Sequence, residues 1–166
     1  MKFTNYEEAI KHFAHGEKIR RIQSRSLFNE GLYYTKTKVF KVTLYENEAN
    51  ACKRLFNKNF KNVCYIYDVH DVKICADNSN KWKAFIIEQE LLQKDRTISF
   101  HHLNFEYIMR NVGKRAEMAK DIINGLIELD SVGIIYGDLH SSNIMRDHNN
   151  TLKLIDFGTA KVRRLS

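Results

Sequence analysis

The pattern of apolar residues changes character near residue 90, and that change limits the fold more than any other feature of the chain. Before it, "KIRRIQSRSLF", "GLYYTKTKVFKVTLY", "NVCYIYDVHDVKIC" and "KWKAFIIEQELL" are runs of β-branched and aromatic residues between short breaks. Such runs predict strands, the third of them either one strand or a broken pair. Two helices interrupt them. "TNYEEAIKHF" opens the chain, with Thr4 and Glu7 placed as a capping box and Tyr6, Ile10 and Phe13 on one face. "ENEANACKRLFNKNF" is the second, with Ala49, Cys52, Leu55 and Phe56 on one side. After "QKDRT" the period becomes helical. "FHHLNFEYIMRNV" reads as a short helix and "GKRAEMAKDIINGLIELDSV" as a long one, striped by Ala116, Ala119, Ile122, Ile123, Leu126 and Leu129. Two small strands, "NIMRD" and "TLKLID", follow with "HNN" between them. Strands with a helix, then helices with a hairpin, is an α+β order with its seam near residues 89–93. There is no proline, so turns rest on Gly, Asn, Asp and Ser.

The 166 residues are enough for a single domain of two small lobes. With 43% apolar and 28% charged residues a core is attainable. No apolar run approaches the roughly 20 residues of a membrane span, and the N-terminus carries no apolar signal core. Three cysteines without a CxxC argue for reduced thiols. Together these features predict a cytoplasmic monomer. The net charge of +7 suits phosphates, nucleic acid, an acidic protein partner or an anionic membrane surface. No interleaving of basic and aromatic residues suggests a nucleic-acid platform.

Asp138, Asn143 and Asp156 carry the chemistry. Transfer of a phosphoryl group needs an acceptor for the attacking hydroxyl, oxygen ligands for Mg²⁺ and a cation on the remaining phosphates. One carboxylate and one amide carbonyl suffice for a metal that keeps several waters. Asp138 and Asn143 stand five apart on a loop after a helix. Asp156 ends the apolar run "LKLI" and precedes Phe157 and Gly158, where a glycine permits a sharp turn.

In these residues the sequence resembles the protein kinase superfamily. Asp138-Leu139-His140-Ser141-Ser142-Asn143 is similar to its catalytic loop, and Asp156-Phe157-Gly158 is its D-F-G. "KVFKV" resembles the strand with the phosphate-binding lysine, here Lys41, and "YENEANACKRL" the helix whose glutamate pairs with it, here Glu48. The resemblance covers about residues 17–160. It implies a bilobal kinase-like fold, with a β-rich N-lobe over about 17–88 and a reduced helical C-lobe over about 89–166 that lacks the lower helices. It implies ATP and Mg²⁺ as cofactors, with Asp138, Lys41 and Glu48 catalytic and Asn143 and Asp156 holding the metal. Ile87 would be the gatekeeper, and backbone groups from Glu88 through Glu90 to Leu91 would bind the base. Ser24 and Ser26 occupy the first two glycine positions of the Gly-rich loop, with Arg25 adding charge between them.

Three departures shape the functional expectation. The residues before Asp138 are Tyr136-Gly137, and His140 stands where the protein kinases carry lysine. "GDLH" is similar to aminoglycoside phosphotransferases and other small-molecule kinases. The Gly-rich loop is degenerate, which keeps a pseudokinase binding module in view. The chain stops eight residues after Gly158, a brevity that resembles the compact type III effector kinases of the OspG and NleH kind and, equally, truncated viral kinase-like proteins. The leading expectation is a minimal protein Ser/Thr kinase, acting as an effector delivered into a host cytoplasm. Its partner would be a protein substrate with an acidic docking surface.

Overall fold

The computed structural model describes residues 1–22, 31–75, 81–94 and 112–163. The chain divides into two compact units, Met1–Lys58 with Tyr65–Leu91, and Asn59–Cys64 with Leu92–Ser166. The fold is α+β, with a β-sheet unit and a unit built on one long helix. The short helix expected over "FHHLNFEYIMRNV" and the residues Ser24, Arg25 and Ser26 lie outside the described residues.

In the first unit β1 (Lys2–Phe3), β2 (Arg20–Ile22), β3 (Gly31–Tyr34), β4 (Lys38–Thr43), β5 (Ile66–Cys75) and β6 (Lys81–Glu90) form one sheet, ordered β1-β5-β6-β4-β3-β2. Two helices accompany it, α1 (Tyr6–Phe13) and α2 (Glu46–Leu55). Strand alternation divides the side chains of β6 between two faces. Ala84 and Ile86 pack with Ala9, Ile10 and Phe13 of α1, together with Phe40, Val42, Val72 and Ile74. Phe85 and Ile87 take the other face, where Lys53 of α2 lies 5.4 Å over the Phe85 ring. A strand covered on both faces reads as a continuous apolar run, and "AFII" is one.

Three local expectations are revised here. The cap of α1 sits one residue later than predicted. Asn5 is the N-cap, its side chain accepting from the Glu8 backbone N–H at 2.9 Å, while the Glu8 carboxylate accepts from the Thr4 N–H and hydroxyl. Asn and Thr are both good caps, and the shift frees Glu7 to pair with Lys11 one turn on, at 2.8 Å. "GLYYTKTKVFKVTLY" is a hairpin rather than one strand. The Thr35 hydroxyl accepts from the Thr37 and Lys38 N–H groups and turns the chain. A threonine-based turn carries no glycine or asparagine to announce it. Helix α2 ends at Leu55, and Phe56 beyond it is 42% exposed rather than packed.

The second unit is organised by α3 (Val112–Ser131). The stripe expected on it is split. Leu129 is buried and Ile122 and Leu126 are half-buried, whereas Ala116, Ala119 and Ile123 are exposed. Gly125 explains the orientation, because a Cβ there would lie 2.7 Å from the Asn62 carbonyl oxygen. The segment Asn59–Cys64 is thereby held against α3, and the Glu128 carboxylate accepts from the Lys61 and Asn62 N–H groups, each at 2.9 Å. The remaining strands are β7 (Gln93–Lys94), β8 (Ile134–Ile135), β9 (Ile144–Arg146), β10 (Leu152–Leu154) and β11 (Lys161–Val162). β7, β9 and β10 form one small sheet, and β8 pairs with β11.

Candidate active site

The second unit gathers the loop residues by two pairings. The β9–β10 hairpin sets Ile144 opposite Leu154, and the Ile155 N–H donates to the Asn143 carbonyl at 2.9 Å. Asn143 therefore enters the hairpin at the end where Asp156 leaves it, which accounts for their separation in sequence. Ile134 and Ile135 pair with Val162 and Lys161, so the stretch from Tyr136 to Ala160 is closed at its base.

Asp138 is fixed from two sides. The Asn143 amide donates to the Asp138 backbone carbonyl at 3.0 Å and to its Oδ2 at 3.2 Å. His140 Nε2 lies 3.3 Å from the same oxygen. His140 Nδ1 accepts from the Ser142 N–H at 3.2 Å, capping the single 3₁₀ turn Ser141–Asn143. An imidazole that accepts on Nδ1 carries its proton on Nε2 when neutral, so the N–H edge of the ring faces Asp138. Both side chains lie on the Oδ2 side of the carboxylate, and the Asn143 amide is hydrogen-bonded to that oxygen.

Asp156 has φ +59, in the left-handed region that costs a non-glycine residue energy. Its Oδ1 accepts from the Gly158 N–H at 3.1 Å, and a Cβ on Gly158 would lie 3.2 Å from that oxygen. Glycine at 158 thus admits the carboxylate fold-back. Phe157 is buried and meets the Tyr136 ring edge-on, centroids 6.0 Å apart. The Tyr136 hydroxyl donates to the Ile155 carbonyl. Burial, then the Asp156 and Asp138 carboxylates, push the Tyr136 phenol far above its ordinary value, so it is neutral and a donor at any physiological pH. The partnership of His140 with Asp138 is what the sequence did not reveal, because spacing shows neighbours but not tautomers.

For a metal, this unit offers one carboxylate, Asp156, and one amide oxygen. With the Asn143 amide nitrogen engaged by Asp138, its carbonyl oxygen is the atom available to a cation. Among the described residues no group of three or more His, Cys, Asp or Glu side chains makes a metal cage. Two hard oxygens without a cage fit Mg²⁺, which keeps much of its water, and do not fit a site built for Zn²⁺.

In the first unit, Lys41 on β4 reaches across to Glu48 on α2, Nζ to Oε1 2.5 Å, with both side chains almost fully buried. Glu48 Oε2 is buried and has no hydrogen-bond partner. Ile87 is the direct cross-strand neighbour of Lys41 and shares its face. The Glu88 side chain points to the opposite face, where it takes Lys38 Nζ at 2.9 Å and His70 Nε2 at 2.7 Å. Burial alone raises this carboxyl, and the two hydrogen bonds outweigh it and leave the Glu88 pKa below its ordinary value. Glu90 accepts from the Tyr65 N–H at 2.7 Å, and Leu91 is 42% exposed.

A buried lysine–glutamate pair, a D-x-x-x-x-N loop held by its own asparagine and a D-F-G turn are three separate marks of one family, and the description of the protein kinase domain matches residues 34–165. The chain belongs to the protein kinase family. A serine/threonine-protein kinase of Saccharomyces cerevisiae is 29% identical over 70% of this chain and 18% of its own length. A probable LIM domain-containing serine/threonine-protein kinase of Dictyostelium discoideum is 24% identical over 72% of this chain and 15% of its own. A second yeast serine/threonine-protein kinase is 46% identical over 26% of this chain and 6% of its own. The chain thus spans under a fifth of the length of these kinases. No helix among the described residues is long and apolar enough to cross a membrane.

Proposed function

We infer that this chain transfers the γ-phosphoryl group of ATP to a serine or threonine hydroxyl of a protein, with Mg²⁺ as the metal. The observation that carries the reading is Asp138, hydrogen-bonded on Oδ2 by the Asn143 amide with His140 beside the same oxygen. His140 acts as a positioning residue. Asn143 and Asp156 would hold Mg²⁺, which supplies charge neutralisation on the phosphates when bound. Lys41, steered by Glu48, would take the non-transferred phosphates. Ile87 would border the base, and the backbone from Glu88 to Leu91 would bind it, with Ser24, Arg25 and Ser26 covering the phosphates. A protein acceptor is favoured over a small molecule because the similar relatives named above are serine/threonine-protein kinases.

The test is incubation with γ-labelled ATP and a cell lysate, read as label in protein. Asp138→Ala should remove labelling while leaving the nucleotide-induced melting shift intact. A ligand at 100 times its dissociation constant stabilises by about 2.7 kcal/mol, so the shift is readily seen. Asp156→Ala should lose most of it. Labelling that survives Asp138→Ala, or a parent chain whose melting ignores millimolar-range Mg²⁺-ATP, overturns the reading. The narrower reading as a delivered effector rests on the resemblance to compact effector kinases. It requires that labelled proteins appear in a host lysate and not in one from the source organism.

A further inference from the structure

The sheet of the first unit carries a feature that phosphoryl transfer does not use. Lys2 of β1 is the direct partner of Lys73 on β5, and Lys73 is the direct partner of Lys83 on β6. Direct partners point to the same face, so three ammonium groups form a row across three adjacent strands. Lys81 lies two residues from Lys83 on that face. All four are exposed. Like charges directly opposed across strands are destabilising. Among the described residues only Asp71 offers this row a carboxylate, 4.0 Å from Lys83, and it is held closer by Lys53, at 3.0 Å. Among the described residues no carboxylate comes within that 4.0 Å of Lys2, Lys73 or Lys81. The lysines line a shallow groove together with Met1, Cys75 and Trp82.

We propose that this lysine row is a docking groove for an extended acidic segment of a protein partner. The spacing selects the occupant. Strands lie about 4.8 Å apart, so the row from Lys2 to Lys83 spans roughly 10 Å, and Lys81 is set off along the strand by about 7 Å. An extended peptide repeats its same-side residues at about 7 Å, so carboxylates on alternate residues reach successive lysines. On the lysine face Phe85 is 1% exposed and capped by Lys53 and Lys83, while Met1 and Trp82 border the groove and the Trp82 indole N–H is engaged by the Tyr6 hydroxyl. Four ammonium groups in one row take carboxylates as their electrostatic complement. The proposal does not depend on the phosphoryl-transfer reading.

The test is fluorescence anisotropy of a fluorescein-labelled peptide of alternating glutamate and serine, titrated with the whole chain near 0.05 M salt. Wild type should bind. Lys73→Glu with Lys83→Glu should bind about tenfold or more weakly, as should Lys73→Gln with Lys83→Gln. Lys36→Glu with Lys58→Glu, two exposed lysines elsewhere, changes the net charge equally and should leave binding nearly intact. Circular dichroism checks that each variant is folded. Absence of binding by wild type overturns the proposal. So does equal loss in the Lys36/Lys58 control, which would show that net charge alone acts. Phosphatidylserine vesicles bound through Lys73 and Lys83 while the peptide is ignored would assign the row to a membrane and overturn it as well.

Discussion

At the scale of single residues the strongest commitment is the Lys41–Glu48 pair. Breaking a buried ion pair leaves an uncompensated charge and costs about 3–5 kcal/mol. Glu48→Ala should therefore lower stability by that order, measured by urea unfolding. Lys41→Met combined with Glu48→Leu should restore most of it, since apolar replacement of a whole buried pair is close to neutral. Glu88 supplies a pH dependence. Its folded pKa lies below the ordinary carboxyl value of about 4.3, so the unfolded chain binds more protons in that range. Its contribution is complete above about pH 5 and is lost as the pH falls through the depressed folded value. Melting temperatures from pH 6 down to about pH 3 should drop more steeply for wild type than for Glu88→Gln, which starts lower at neutral pH. Residue placements were unevenly legible in the sequence. Asp138, Asn143, Asp156 and Lys41 stood out because motif spacing fixes them. Glu48 followed from the resemblance, and in the structure it is buried and paired with Lys41. The Asn5 cap was misplaced by one residue because Thr4 and Asn5 are near-equal competitors.

At the scale of elements, the long apolar runs were read correctly where length and composition agreed, as in β6 and α3. The hairpin within "GLYYTKTKVFKVTLY" was missed because its turn is made by a threonine hydroxyl. The face of α3 was misjudged because the decisive contact, Gly125 against Asn62, joins residues far apart in sequence. That contact is testable. Alanine is a better helix former than glycine by about 1 kcal/mol. Yet Gly125→Ala should destabilise by about 1–3 kcal/mol, because its methyl meets a backbone carbonyl that cannot rotate away. Chemical denaturation decides between the two signs. On the sheet the opposite holds for Lys73, where Lys73→Gln removes two direct like-charge neighbours. It should raise stability by a few tenths of a kcal/mol, with the gain shrinking in high salt.

At the scale of the molecule, the last segment of the first unit ends at Leu91. The excursion of Asn59–Cys64 into the second unit left no trace in composition. It depends on hydrogen bonds that only the folded chain assembles. Asn62 donates through its side chain to the Leu152 carbonyl, 90 positions on, and its own carbonyl accepts from Leu154. The chain therefore passes between the units three times, at 58–59, 64–65 and 91–92. On a ribosome, which adds about 5–20 residues per second, Asn62 emerges several seconds before the strand it will anchor. The first unit has all its strands by Leu91, while the second waits for Leu154 with six of its residues already spoken for. No single scission yields two self-sufficient pieces, and a fragment beginning at Leu92 lacks the wedge between its own helix and hairpin.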